Sequence, residues 1–288
     1  MKKLLAIIYV ILGFGIGINS VSAQFVNLDY NSPAVESFTK NTLVLVEQAD
    51  SSYNRALRQS AAQWKLTKVE ILSPAAALKK ATDRTRSFLI PLEVSVKAAN
   101  GIMAKHYFIA MVNGGRKTWT LYTYNDVVAY VPVDHFGNEK NLVDVAFRLP
   151  VVLGSLQDAF RTAKDKKVLK GKNGTLDAFV GIYNRRAVGL KSMTLLVPQM
   201  YLDKTAKDAF TKQYTYPSKM IADFEALKAA MVKPAPKTAI LLISRSLNKH
   251  IFVLDVNTGK VLYSDLYTSD NPLNAADLAR FCRVVQGK

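Results

Sequence analysis

Cysteine is almost missing from this 288-residue chain, where Cys282 stands alone. A single thiol builds no internal disulfide framework and no paired-cysteine metal site. Cys282 therefore reads as a small apolar residue on a helix face. Histidine is nearly as scarce: His106, His135 and His250 are the full set, and none belongs to a His-Glu-x-x-His helix. No glycine-rich loop follows an opening strand, and no serine sits in a Gly-x-Ser-x-Gly setting. No cofactor and no metal are expected on this basis. Acidic residues are also few, 22 against 39 Lys and Arg, for a formal net charge of +17.

Long apolar runs are absent after the first one. Leu4 to Ile18 is broken by Gly13, Gly15 and Gly17, follows Lys2 and Lys3, and leads to the small residues Val21-Ser22-Ala23. That order marks residues 1–23 as a signal peptide cleaved at Ala23, the alternative being a retained N-terminal anchor. The run is short for a spanning helix, which needs about 20 apolar residues. No cysteine lies near the signal, so the residue a bacterial lipid anchor needs is lacking. The expected product is periplasmic or secreted, with no transmembrane segment after cleavage.

What the chain does contain is a repeat. Lys105-His106-x-Phe108 with Val112-Asn113-x-Gly115 recurs as Lys249-His250-x-Phe252 with Val256-Asn257-x-Gly259, and Leu121-Tyr122-Thr123 recurs as Leu266-Tyr267-Thr268. Apolar β-branched runs at Thr42–Val46, Lys68–Leu72 and Phe88–Val96 alternate with helical patterns at 53–64 and 75–81. Asp50 and Ser73-Pro74 are placed to start those helices. Pro91 inside the third run predicts an edge or a bulge. Tyr107–Val112 and Thr118–Tyr124 read as a hairpin across Asn113-Gly114-Gly115, whose Asn and Gly tolerate positive φ. Leu142–Ala163 reads as a helix that Pro150 should kink or break. The same order follows in 194–285. The fold class is accordingly α/β, with α+β as the alternative. Each of two similar units carries a mixed sheet with helices packed on it. Their expected spans are 24–163 and 191–288, joined by a basic connector at 164–190, and a pseudo-twofold arrangement would bring like faces together.

That connector concentrates positive charge. Lys164, Lys166, Lys167, Lys170 and Lys172 follow Arg161, and Arg185, Arg186 and Lys191 extend the series. It reads as a solvated helix end, or as a contact for an anionic lipid, an acidic glycan or an acidic envelope protein. Nucleic acid is not an expected partner, since aromatic interleaving is missing. His106 and His250, at matched places entering a strand, are the candidate acid–base or ligating pair, and His135 beside Asp134 is a third candidate. Against that reading, a strand histidine commonly just packs. Tyr122 and Tyr267 either line a ligand cleft or face a helix in each core.

The second unit resembles envelope α/β modules, those of curli-secretion lipoproteins and the N-terminal domain of the Tol translocation protein. Thr238–Ile243 before Phe252–Val261 carries the likeness over about 80 residues. Gln24 directly after Ser-Ala resembles exported proteins of Bacteroidota, and the whole chain would then belong to an exported family there. The expected function is a non-catalytic binding or envelope-assembly protein. One alternative is a hydrolase with a histidine-containing cleft between the units, and another is a peripheral binder of anionic surfaces.

Overall fold

The computed structural model describes residues 9–11, 32–97, 103–122, 126–132, 146–166, 175–245, 249–267 and 273–288. Two mixed sheets carry the chain. The first is ordered β3-β2-β4-β5-β6, formed by β2 (Thr42–Val46), β3 (Val69–Leu72), β4 (Arg86–Lys97), β5 (Met103–Asn113) and β6 (Val127–Pro132). A short strand β1 (Tyr9–Ile11), inside the expected leader, runs parallel to β4 at Glu93–Ser95. The second sheet is ordered β11-β10-β9-β7-β8, with β7 (Thr194–Pro198), β8 (Ser218–Ile221), β9 (Thr238–Arg245), β10 (Lys249–Asp255) and β11 (Val261–Tyr267). In both sheets the first three strands are parallel and the last two antiparallel. The duplication is therefore one of topology.

The helices begin where the sequence places caps. In α2 (Ser51–Gln63) the Asp50 carboxylate accepts from Tyr53 N, and in α3 (Pro74–Lys79) Ser73 accepts from Ala76 N. Asp203 and Asp223 cap α6 (Lys204–Gln213) and α7 (Phe224–Val232) in the same way, and Asn274 caps α8 (Ala275–Gln286), its own N–H donating in return to the Asp277 carboxylate. Each cap satisfies an N–H that the helix itself leaves unpaired. Helix α1 (Pro33–Lys40) precedes the first sheet. The stretch 164–190 holds the end of α4 (Leu149–Lys166) and all of α5 (Thr175–Arg186).

Strand alternation sorts side chains into layers. Leu43, Leu45, Leu89, Ile109 and Met111 face α1, α2 and α4, while Val44, Phe88, Ala110 and Val112 face the side of α3. In the second sheet, Leu195, Val197, Ala239 and Leu241 pack with α6 and α8. Leu196, Ile240, Phe252 and Leu254 lie on the α7 side, in one core with α2 and α4. The α2/α4 face of the first unit thus meets the α7 face of the second. Unlike faces touch, so the units stack head to tail and no pseudo-twofold axis relates them. The stack ends where α8 turns Arg280 and Arg283 to solvent, whereas its counterpart α4 is buried on both sides.

Several local expectations change. Trp119–Leu121 is a 3-10 turn, and the partner of β5 begins only at Val127. Leu121-Tyr122 and Leu266-Tyr267 therefore do not correspond. At Pro150 there is a break and no kink: α4 starts at Leu149, after a 3-10 turn at Ala146–Arg148, and proline in a first turn forfeits no needed N–H. Pro91 introduces no bulge. It pairs with Ile109 in unbroken register, just beyond Leu89, the last β4 residue that β2 reaches. In the turns only the glycines take positive φ, Gly115 at 133° and Gly259 at 71°. Asn113 and Asn257 act instead through their side-chain amides, which donate to Ala34 O and Ala235 O.

Candidate functional site

The seam between the units is built around α4. Two glycines set its closest approach: a Cβ on Gly154 would lie 2.6 Å from Thr258 O and 2.8 Å from Gly259 Cα. Helix backbone and β10–β11 turn touch here with no side chain between them. One helical turn on, Asp158 Oδ2 accepts from Val261 N (3.1 Å) and from Arg186 Nη1 (2.6 Å). Arg186 also donates to Val261 O and Thr162 Oγ1 and lies over the Tyr183 ring. Arg186 and Asp158 are largely shielded from water, so the pair clamps α4 and α5 to β11 and is unavailable to a ligand.

Beside this clamp opens a cleft of about 410 Å³, lined by Ser60, Trp64, Lys65 and Gln157 from the first unit and Asn257 and Thr258 from the second, with Arg161 at its edge. The volume falls within the range of small-molecule sites, about 300–1,000 Å³. Local sequence explains its walls. Helix α2 ends at Trp64, whose ring is 5% exposed and meets Phe38 edge-on. Lys65 N, freed by that ending, is taken up by Gln157 Oε1. Gln157 and Arg161 are four residues apart on α4 and so share a stripe, which Lys164 continues three residues on. Lys65 Nζ donates to Ala62 O, and Arg161 is exposed with no ion pair among the described residues. No carboxylate, histidine or cysteine lines the cleft. Its charge is positive and its other polar groups are amides and hydroxyls.

The candidates read from sequence scatter. His106 pairs with Val94 on β5, and His250 pairs with Ser244 and Leu266 on β10. They are not counterparts. Both hairpins shift register at the equivalent point, Met111/Val112 and Val253/Leu254. His106 lies six residues before Val112, but His250 only four before Leu254. The residue matching His250 is Phe108. A slip of two keeps strand parity, which is why the apolar pattern matched in spite of it. His135 lies outside the described residues, as do Lys167, Lys170 and Lys172. Lys164 and Lys166 are exposed at the end of α4. Tyr122 is buried, donates to Ala81 O, stacks near Trp119, and has its hydroxyl pushed up to about 12 by burial. Tyr267 ends β11. Among the described residues no group of three or more His, Cys, Asp or Glu is placed to hold a metal, and no helix is long and apolar enough to cross a membrane.

Sequence reading passed over Lys65, Gln157, Asn257 and Thr258 as site residues. The one available signal was Gly154, a lone glycine inside a helix and directly after the apolar Val151-Val152-Leu153, which marks a close backbone approach. No family model matches the chain, and neither does any curated protein or solved structure. The likeness to envelope modules accordingly rests on the residues of the second unit alone.

Proposed function

We propose that the protein is an exported, non-catalytic binding protein of the cell envelope, periplasmic or secreted, that holds its ligand in the seam between its two units. The observation that carries this reading is the composition of the cleft. It offers hydrogen-bonding amides from both units and cations from the first, and no carboxylate, imidazole or thiol lines it. A site of that kind can hold a ligand and lacks the carboxylate or imidazole that would activate its hydroxyls for catalysis. Export rests on the charged, apolar and small-residue order of 1–23.

The test is a ligand screen read by two-dimensional NMR on the mature chain, alongside an Ala62→Trp variant. Ala62 lines the cleft from an exposed position, so an indole there obstructs the mouth without entering the core. A ligand that moves the amides of 60–65, 153–161 and 257–258, and no longer binds Ala62→Trp, supports the reading. Ligands that bind both forms alike, or turnover of any of them, refute it. Export is checked separately by N-terminal sequencing of the protein from its native compartment, where Gln24 is the expected first residue.

A further inference from the structure

Binding in the seam leaves the ligand class open, and the chemistry of the cleft narrows it, on the premise that the seam is the binding site. The cations at the mouth are Lys65, just past the end of α2, and Arg161 on α4. Arg161 is unpaired among the described residues, and Lys65 is satisfied only by the helix-end carbonyl of Ala62. The positive charge is therefore uncompensated locally. It continues along the Gln157–Arg161 stripe of α4 to the exposed Lys164. The floor and the far wall are polar in a different way. Thr258 Oγ1 accepts from Lys260 N and retains its proton for donation, Asn257 spends one amide hydrogen on Ala235 O, and Gln63 is exposed at the rim. The large apolar side chains are withdrawn: Trp64 and Leu153 border the cleft but are 5% and 1% exposed.

We infer that the cleft takes an acidic saccharide, with a carboxylate or sulfate lodged between Lys65 and Arg161 and ring hydroxyls bonded to Gln63, Asn257 and Thr258. Cations answer the acid group, and arginine adds planar two-point geometry suited to it. Side-chain amides and hydroxyls answer a polyol. Trp64 and Leu153 are too buried to receive an acyl chain, which favours this ligand over an anionic phospholipid. A chain of several sugar rings can leave the mouth along Arg161 and Lys164, so successive acid groups meet successive cations. Because the first unit supplies the cations and Asn257 and Thr258 come from the second, a bound saccharide bridges the seam.

The experiment uses the mature chain with three probes: an oligomer of galacturonic acid, a neutral glucose oligomer of equal length, and vesicles of phosphatidylglycerol. Calorimetry should show binding of the acidic oligomer alone, weakening as salt rises because the contact is screened. Arg161→Ala and Lys65→Ala should each loosen it about tenfold or more, as expected for loss of a charge-assisted contact. Both residues are exposed, so folding is retained and is checked by circular dichroism. Amide shifts should map to 60–65, 153–161 and 257–258. Neutral oligomer binding in the cleft as tightly as the acidic one overturns the charge assignment while leaving the seam as a binding site. Vesicle binding without oligomer binding overturns the saccharide in favour of a membrane. Shifts confined to residues outside the cleft, or no binding by any probe, overturn this inference.

Discussion

Replacing Gly154 by alanine inverts the usual effect of that substitution. In an ordinary helix interior, glycine to alanine stabilises by about 1 kcal/mol, because the unfolded chain loses freedom. At Gly154 the added Cβ would sit 2.6 Å from Thr258 O, 2.8 Å from Gly259 Cα and 3.1 Å from Thr258 C. All three are backbone atoms, so no side chain can rotate aside. Helix α4 cannot back away either, since Leu153, Leu156, Ala159 and Phe160 are buried in the core shared by both sheets. Overpacking of this kind costs about 1–3 kcal/mol, which cancels or exceeds the helix gain. The control is Gly181→Ala in α5, an exposed helical position where a Cβ would meet nothing within 4 Å. Urea unfolding, followed by far-ultraviolet circular dichroism and by tryptophan fluorescence, reads both. Gly154→Ala should lower stability by up to about 2 kcal/mol net, near 2–4 °C in melting temperature per kcal/mol, and Gly181→Ala should raise it. Gly154→Ala surpassing the parent, as Gly181→Ala should, would show that α4 and the β10–β11 turn are not in backbone contact, and the head-to-tail seam would fall with it.

Other consequences are as direct. Asp158→Asn leaves Arg186 without its counter-charge in a largely shielded position, and should cost about 1–3 kcal/mol by denaturant titration; an unchanged midpoint would show that the clamp holds nothing. Lys237 holds φ at 54° entering β9, a left-handed conformation that costs a non-glycine residue about 1–2 kcal/mol. Lys237→Gly should therefore gain about 0.5–1 kcal/mol after the entropy cost of glycine, and a loss would show that the lysine side chain holds the turn. Burial pushes the Cys282 thiol up to about 11, while an unfolded thiol ionises near 8.5. The buried neutral form is stable below the unfolded value, so stability should decline as pH rises from about 8.5 towards 11. Cys282→Ala should flatten that decline, and iodoacetamide should modify Cys282 at pH 8 only after denaturation.

Local chemistry made most elements legible. Asp50, Ser73, Asp203 and Asp223 announced their helices because a cap is a contact across three residues, and β2, β4, β7 and β9 announced themselves by unbroken apolar runs. The repetition was legible for the same reason, since both copies spell out the same order of strands and helices. Whatever depended on register was not. Lys-His-x-Phe matched in two places, yet a slip of two residues preserves alternation, so only the pairing of His250 with Ser244 and of Phe108 with Leu92 parts the histidines. Nor can sequence say which face of one unit meets which face of the next, because each sheet is apolar on both sides. Tertiary packing decided that by burying most of α4 between the two sheets and leaving α8 half in water. The cleft follows from that packing: Lys65, Arg161 and Thr258 are distant along the chain and adjoin only because Gly154 and Gly259 let two backbones touch.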